Sequence, residues 1–328
     1  MKVLVTGGAG YIGSIAAEEL IKAGHTVVVF DNLSRGHRGA VPTEAAFFHG
    51  DLLRPETIDR CFHENPGIEG VMHFAALALV PESMRDPGMY FQNNVTGTQN
   101  LVEAMLRHGA LRLIFSSTCA TYGLPEIVPM TEETPTAPIN AYGESKLMVE
   151  RMLRWYSDIH GLSYAALRYF NACGATETRG EDHQPETHMI PIVLEVALGE
   201  REFVPITGDD YPTRDGTGVR DYIHVVDLAS AHILALLALQ PGERRIYNLG
   251  TGTGVTVREI IEAARDVTGH PIPERSAPRR PGDPPELVAA AEKAKRELGW
   301  QPRHSDIHTI MRTAWNWHQS HPAGYSDH

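Results

Sequence analysis

Thr6-Gly-Gly-Ala-Gly-Tyr-Ile-Gly13 is the stretch on which the reading of this chain turns. Val3-Leu-Val-Thr6 before it is a short buried-strand run, and Ile12–Ala23 after it puts Ile12, Ile15, Ala16, Leu20 and Ala23 on one helical side. Gly7, Gly10 and Gly13 satisfy a GxxGxxG spacing, and Gly8, Gly10 and Gly13 a GxGxxG spacing. Between a strand and a helix, such a loop turns tightly, lets backbone approach a pyrophosphate and aims a helix N-terminus at the anion. A glycine-rich turn alone carries little weight, but the flanks here are right. Thr26-Val-Val-Val-Phe30 supplies the next strand, and Asp31 ends it 18 residues after Gly13. A carboxylate at that point binds both ribose hydroxyls and repels a 2′-phosphate, which predicts NAD rather than NADP.

The alternation continues outward. Ala45–His49, Val71–Phe74, Leu111–Ser116 and Tyr164–Arg168 read as strands, with helices near Glu56–Glu64, Met89–Arg107 and Tyr142–His160. This pattern predicts an α/β fold, a Rossmann-type doubly wound parallel sheet covered by helices on both faces. After about residue 171 the loops lengthen and gain Pro and Gly, as in Cys173–Glu186, Thr207–Gly218 and Pro271–Pro285. Between them lie shorter segments, His224–Leu239, Val257–Val267 and Ala289–Leu298. The expected division is an NAD-binding domain over 1–171 and a smaller C-terminal α/β substrate lobe over 172–328, with part of 220–240 returning to the large domain.

A chain of 328 residues with 42% hydrophobic content can bury a large core. Its 41 acidic and 29 basic residues give a net charge of −12. That balance argues against nucleic acid as a partner, which needs a clustered basic face, while leaving room for a local basic pocket. Three cysteines, Cys61, Cys119 and Cys173, show no disulfide framework and fit a reducing cytoplasm. Met1-Lys2 runs straight into an apolar strand, leaving no room for a signal peptide, and no run of 18 apolar residues predicts a membrane span. A cytoplasmic enzyme is the expected class.

Tyr142-Gly-Glu-Ser-Lys146 opens the predicted helix Tyr142–His160, and i, i+4 spacing puts the phenol and the ammonium on one face. A lysine close to a phenol favours the phenolate and pulls the tyrosine toward use as a base. Ser116-Ser117-Thr118 closes the strand Leu111–Ser116, where a hydroxyl faces the ligand crevice of such a sheet. YxxxK is common by chance, but the glycine loop, Asp31 and the hydroxyl strand together make coincidence a poor account.

These segments resemble the extended short-chain dehydrogenase/reductases, and most closely the UDP-glucose 4-epimerases among them. Superfamily markers are TGGAGYIG (6–13), DNLS (31–34), HFAA (73–76), NNVTGT (93–98), FSSTCATYG (115–123) and YGESK (142–146). More specific are RYFNACGA (168–175), GEDH (180–183), ETHMIP (186–191), DYPTRDGTGVRDYIHVVDLA (210–229) and RRPGDPPEL (279–287). The resemblance implies a retained NAD, a transient 4-keto sugar and reversible inversion at C4 of UDP-glucose or UDP-galactose. It implies Tyr142 as base on the C4 hydroxyl, Thr118 bonded to the same oxygen, and Lys146 tuning Tyr142 and holding the nicotinamide ribose. For the cofactor it implies Gly7, Gly10, Tyr11, Ile12, Gly13, Asp31, Asn32, Phe74, Ala75, Ala76, Asn93, Ser116 and Tyr169, with Asp51 and Leu52 at the adenine. For a UDP-sugar substrate it implies Asn171, His188, Met189, Arg220, Val257, Arg280, Asp283 and Leu287. Guanidinium forks suit phosphate oxygens, which makes two arginines there reasonable. A homodimer through the Met89–Arg107 and Tyr142–His160 regions is implied as well.

Three departures stand out. Leu77-Ala78-Leu79 follows HFAA where the family often has a lysine near the cofactor pyrophosphate, so NAD is expected to be held less firmly if no other cation substitutes. Thr118 replaces a frequent serine and keeps the hydrogen bond. Leu287 replaces a tyrosine of some members, which suggests a roomier pocket that also admits N-acetylated sugars. Cys119 and Cys173 read as packed residues rather than nucleophiles. His304, His308, His318, His321 and His328 give no HExxH arrangement, and no metal site is expected; Trp315 and Trp317 are expected to cover part of the small lobe. A 4,6-dehydratase would need an Asp-Glu pair after Thr118, where Cys119-Ala120 stands. Epimerases of UDP-N-acetylhexosamines or UDP-uronic acids remain alternatives, as does a binding module that senses NAD without catalysis. The last usually lacks the tyrosine and lysine that this chain keeps.

Overall fold

The computed structural model describes residues 1–280 and 283–326. His328 and the middle of RRPGDPPEL lie outside the described residues. Seven parallel strands form the central sheet: β1 (Lys2–Thr6), β2 (Thr26–Asp31), β3 (Ala46–His49), β4 (Gly70–His73), β5 (Arg112–Thr118), β6 (Ser163–Tyr169) and β7 (Arg244–Leu249). Their order is β7-β6-β5-β4-β1-β2-β3, which is a doubly wound Rossmann arrangement.

Side chains alternate between the two faces of the sheet. Val3, Val5, Val27 and Val29 enter one core with the helices Tyr11–Lys22 and Val225–Ala238. Leu4, Val28 and Phe30 enter the other, against Pro55–Glu64, Gly97–His108 and Ala141–His160. Both faces are dry, so the strands read as continuous apolar runs, each large side chain contributing about 1.5–3 kcal/mol of burial.

The predicted helix Met89–Arg107 has a discontinuity. Pro87–Tyr90 leads into a wide π turn over Phe91–Thr96 before the regular helix Gly97–His108. Such turns recur at functional sites because they re-aim one or two side chains, here Asn93 and Asn94.

The smaller lobe is assembled from separate stretches of chain. Asn171–Cys173 pairs with Tyr222–His224, Val204–Thr207 with Glu274–Ala277, and Val219–Arg220 lies between Val255–Thr256 and Glu286–Leu287. Its core joins the helices Met189–Ala197, Val257–Thr268 and Ile307–Ser320, and includes Trp315. The chain returns to the large core twice, at 223–249 and at Ala291, Ala294 and Trp300. Strand β7 was not foreseen: it lies beyond the 220–240 segment expected to return, within the half assigned to the substrate lobe. Its polar start, Arg244-Arg245, and its place at the sheet edge hide it from an apolar-run reading. Among the described residues no helix is long and apolar enough to cross a membrane.

Candidate active site

A cleft of about 710 Å³ opens where the carboxyl ends of the strands meet the smaller lobe. Every residue singled out for cofactor, substrate or chemistry lines it. From the sheet side come Gly7, Gly10, Tyr11, Ile12, Gly13, Asp31, Asn32, Asp51, Leu52, Phe74, Ala75, Ala76, Asn93, Ser116, Thr118, Tyr142, Lys146 and Tyr169. From the other side come Asn171, His188, Met189, Arg220, Val257, Arg280, Asp283 and Leu287.

At the end formed by the glycine loop, Gly7 has φ +73°, and a Cβ there would lie 2.4 Å from the Ala75 nitrogen. A Cβ on Gly13 would lie 2.1 Å from the Gly7 oxygen, so neither position can carry a side chain. Gly10 caps the helix Tyr11–Lys22 without a side-chain acceptor, leaving its leading N–H groups for an anion. The Asp31 carboxylate accepts from Ala9 N at 3.0 Å and Leu33 N at 2.8 Å. Burial raises its pKa, and those two N–H groups restrain the rise. Asn32 Nδ2 donates to Asp51 Oδ2 at 3.2 Å, tying the ends of β2 and β3 together. A bare helix start for a pyrophosphate and a held carboxylate for a ribose fit NAD.

Leu77, Ala78 and Leu79 line the same end and carry no cation. Their loop is held instead by Asn94, which sequence reasoning missed. Leu77 N donates to Asn94 Oδ1 at 2.8 Å, while Asn94 Nδ2 donates to the Leu77 carbonyl and to Ser145 Oγ, both at 3.0 Å. NNVTGT contained the signal, yet only the π turn aims this second asparagine inward.

The reacting groups sit where β5 meets the helix Ala141–His160. Asn140 caps that helix, its side chain accepting from Gly143 N at 2.8 Å, which puts Tyr142 in the first turn. A Cβ on Gly143 would come within 2.5 Å of the Ala120 carbonyl oxygen, so glycine lets the Thr118–Ala120 turn close onto the tyrosine. Burial holds the Tyr142 pKa well above the usual value, and the Thr118 hydroxyl beside it works the other way. The expected pairing with Lys146 takes another form. Lys146 Nζ donates to the Ser116 carbonyl at 2.9 Å and sits 4.9 Å from the Phe115 ring centre. Burial pulls its pKa down to about 7 against the opposing charge of Glu150. The ammonium is satisfied by a strand-end carbonyl.

Buried polar groups support this floor from below. Glu150 Oε1 accepts from Ser117 Oγ at 2.5 Å and from Arg168 Nε at 3.0 Å, and Arg168 Nη1 donates to Tyr122 Oη at 3.0 Å. His73 lies between the Thr6 and Thr98 hydroxyls at 2.6 and 2.7 Å, and burial lowers its pKa to about 3. Tyr169 Oη meets Ser116 Oγ at 2.7 Å.

On the substrate side Arg220 Nη2 reaches Asp283 Oδ1 at 2.5 Å. Beside it the fully buried Asp221 carboxylate accepts from Thr251 N and Oγ1, Gly252 N and Ala289 N at 2.7 to 3.1 Å. The Asp221 carbonyl accepts from both the backbone N and the Nδ2 of Asn171 at 3.0 Å. Leu287 stands opposite Arg220 in the short ladder. His188 lines the cleft with its Nδ1 2.8 Å from Glu181 Oε1 and 2.9 Å from Glu186 Oε1. Burial raises the thiols of Cys119, to about 12, and of Cys173, which keeps both out of nucleophilic chemistry. His308 faces Asp266 at 3.4 Å and His304 packs on the His224 ring, so among the described residues these two tail histidines do not share a site.

The model of the NAD dependent epimerase/dehydratase family matches residues 3–250. A UDP-glucose 4-epimerase of Halalkalibacterium halodurans is 52% identical over 99% of this chain and 98% of its own. A crystal structure of a UDP-glucose 4-epimerase superposes with a TM-score of 0.96 at 52% identity, covering 99% of this chain and 100% of that one. The UDP-glucose 4-epimerase of Bifidobacterium longum, solved in complex with NAD+ and UDP, gives a TM-score of 0.94 at 40% identity over 99% and 100% of the two chains.

Proposed function

Since the chain belongs to the NAD dependent epimerase/dehydratase family, we infer that it catalyses the reversible, NAD-dependent inversion of C4 between UDP-glucose and UDP-galactose. The observation that carries this reading is the convergence of Tyr142 and Thr118 at the end of β5, in one cleft with the Asp31 loop and Arg220. NAD, when bound, takes and returns the C4 hydrogen and brings a positive ring into the cleft. The chain does the rest. Tyr142 Oη takes the proton of the C4 hydroxyl as the transient 4-keto sugar forms and gives it back on return. Thr118 Oγ1 holds the same sugar oxygen. The Tyr142 phenol also gains from the partial positive charge at the start of its helix. Lys146, with a pKa near neutrality, would hold the nicotinamide ribose and supply the ammonium that the phenolate needs.

Arg220 and Arg280 are assigned to the diphosphate, with Asn171, His188, Met189, Val257 and Asp283 completing the nucleotide side. Leu287 is assigned to the sugar end. We assign the sheet-bearing lobe to the cofactor and the smaller lobe to the UDP-sugar. Met148, Trp155 and Ile159 stand exposed at 38, 63 and 67% on the helix Ala141–His160, which favours a homodimer through that helix. A cytoplasmic location agrees with three free cysteines.

The test is turnover of UDP-galactose by purified protein, first without and then with added NAD. Activity in both conditions supports retained cofactor; activity only with added NAD supports the looser grip expected from Leu77–Leu79. No turnover in either refutes the reading. The same assay with UDP-N-acetylglucosamine tests the roomier pocket at Leu287, which fails if that sugar is not turned over.

A further inference from the structure

The loop before the helix Met189–Ala197 carries one pattern twice, Glu181-Asp182-His183 and Glu186-Thr187-His188. Its four outer side chains do not take part in the proton chemistry at Tyr142. The loop nevertheless folds so that one ligand-capable atom from each of Glu181, His183, Glu186 and His188 lies within 4.8 Å of the others. His183 Nδ1 is 3.0 Å and His188 Nδ1 2.8 Å from the same Glu181 Oε1, and His188 Nδ1 is 2.9 Å from Glu186 Oε1. Glu181 is buried, 7% exposed, while the side chains of His183 and His188 keep 32 and 47% exposure. The group is therefore closed from below and open on one side.

Two imidazoles converge on one Glu181 oxygen with ring centres 5.5 Å apart, each able to donate from Nδ1. A single dication can take the place of those Nδ1 protons, because imidazole and carboxylate bind metal only in their deprotonated forms.

We propose that Glu181, His183, Glu186 and His188 bind one zinc ion. Two imidazole nitrogens and two carboxylate oxygens match the donor preference and the four-coordination of zinc. Bonds of about 2.0–2.2 Å in tetrahedral geometry place donor atoms a little over 3 Å apart. Three of the six separations are 2.8 to 3.0 Å and all lie within 4.8 Å, so side-chain rotation within the loop admits the ion. With four protein ligands the site is closed and structural rather than catalytic. Its place gives it a task. The Tyr11 ring stands edge-on to the His183 ring at 6.2 Å, and Tyr11 Oη donates to the Gly174 carbonyl at 2.5 Å. Tyr11 is the first residue of the helix behind the glycine loop. The ion thus stiffens the 181–188 loop beside the helix that follows the glycine loop.

The experiment measures metal content of tag-free protein with its NAD retained. The protein is stripped by chelator dialysis, exposed to zinc chloride and dialysed again against metal-free buffer. About one zinc per chain and a Tm raised by several degrees over the stripped protein are expected. Cobalt chloride in place of zinc should give the intense visible absorption of four-coordinate cobalt. His183→Gln with His188→Gln should abolish retention. Glu186→Gln, which preserves the bulk of the loop, should weaken it at least tenfold while the far-ultraviolet circular dichroism stays unchanged. Less than a tenth of a zinc per chain in the unaltered protein overturns the proposal, as does stoichiometric zinc in the folded Glu186→Gln or double variant. Neither result bears on turnover of UDP-galactose, so this proposal and the functional reading fail separately.

Discussion

Tyr142 and Arg220 face one cleft from opposite sides, and they are held there by different means. Tyr142 rides a twenty-residue helix that packs Val149 and Leu153 onto the sheet, is capped by Asn140 and abuts Ala120 through Gly143. Its position is the sum of many small contacts. Arg220 belongs to a strand of two residues, and its neighbour Asp221 gathers four donors from two other loops. One carboxylate sets the geometry of that wall. Chemistry can therefore be removed from the floor of the cleft with little structural damage, whereas on the outer wall a single substitution reshapes the site.

Tyr142→Phe gives the largest effect on rate. It removes only the hydroxyl, so kcat should fall about 10²–10⁴-fold, the range for a lost general acid–base group. NAD content and Tm should stay near those of the parent. A drop in Tm comparable to that of an Asp221 variant would break the contrast between the two sides.

Asp221→Ala should show the opposite profile. It strands buried N–H donors at a cost of about 1–3 kcal/mol each, so urea unfolding should report a loss of about 3 kcal/mol or more. KM for the UDP-sugar should rise more than kcat falls. An unchanged unfolding midpoint would mean that the wall, too, is held by distributed contacts.

The floor has one single-residue dependence of its own, which sharpens the comparison. His73 is neutral between two threonine hydroxyls, with its pKa lowered by burial to about 3 from an ordinary 6.5. Below pH 6.5 the unfolded chain takes up a proton that the folded chain refuses, so the stability present above that value drains away as pH falls toward 3. His73→Gln should flatten this acid limb in thermal melts between those limits. A limb as steep as that of the parent would show that other groups carry it.

The cofactor half of the site was legible because its parts are local. The glycine loop, Asp31 and the Tyr142–Lys146 spacing each need only a strand, a turn and a helix in order. What escaped depends on distant partners. Lys146 was read from its place one helical turn from the phenol, and only folding adds the Ser116 carbonyl across the β5 end as a partner. Asn94 looked like its neighbour Asn93 until a π turn separated their directions. Asp221 sits in a motif chosen for Arg220, and only folding brings Thr251 and Ala289 to it. The seventh strand was hidden for the same reason, since pairing with β6 lets Arg244-Arg245-Ile-Tyr-Asn-Leu249 extend the sheet.

The route of the chain after Tyr169 also bears on how such a molecule can be altered. The smaller lobe is supplied in three instalments, roughly 171–222, 251–288 and 304–326, and between them the chain returns to complete the large core with Ile223, Leu249 and Trp300. The smaller lobe is therefore not a detachable module. Transplanting it between relatives calls for three coordinated grafts, and a cut near 171 would strip the sheet of its last strand and leave a raw edge ready to pair with a neighbouring chain.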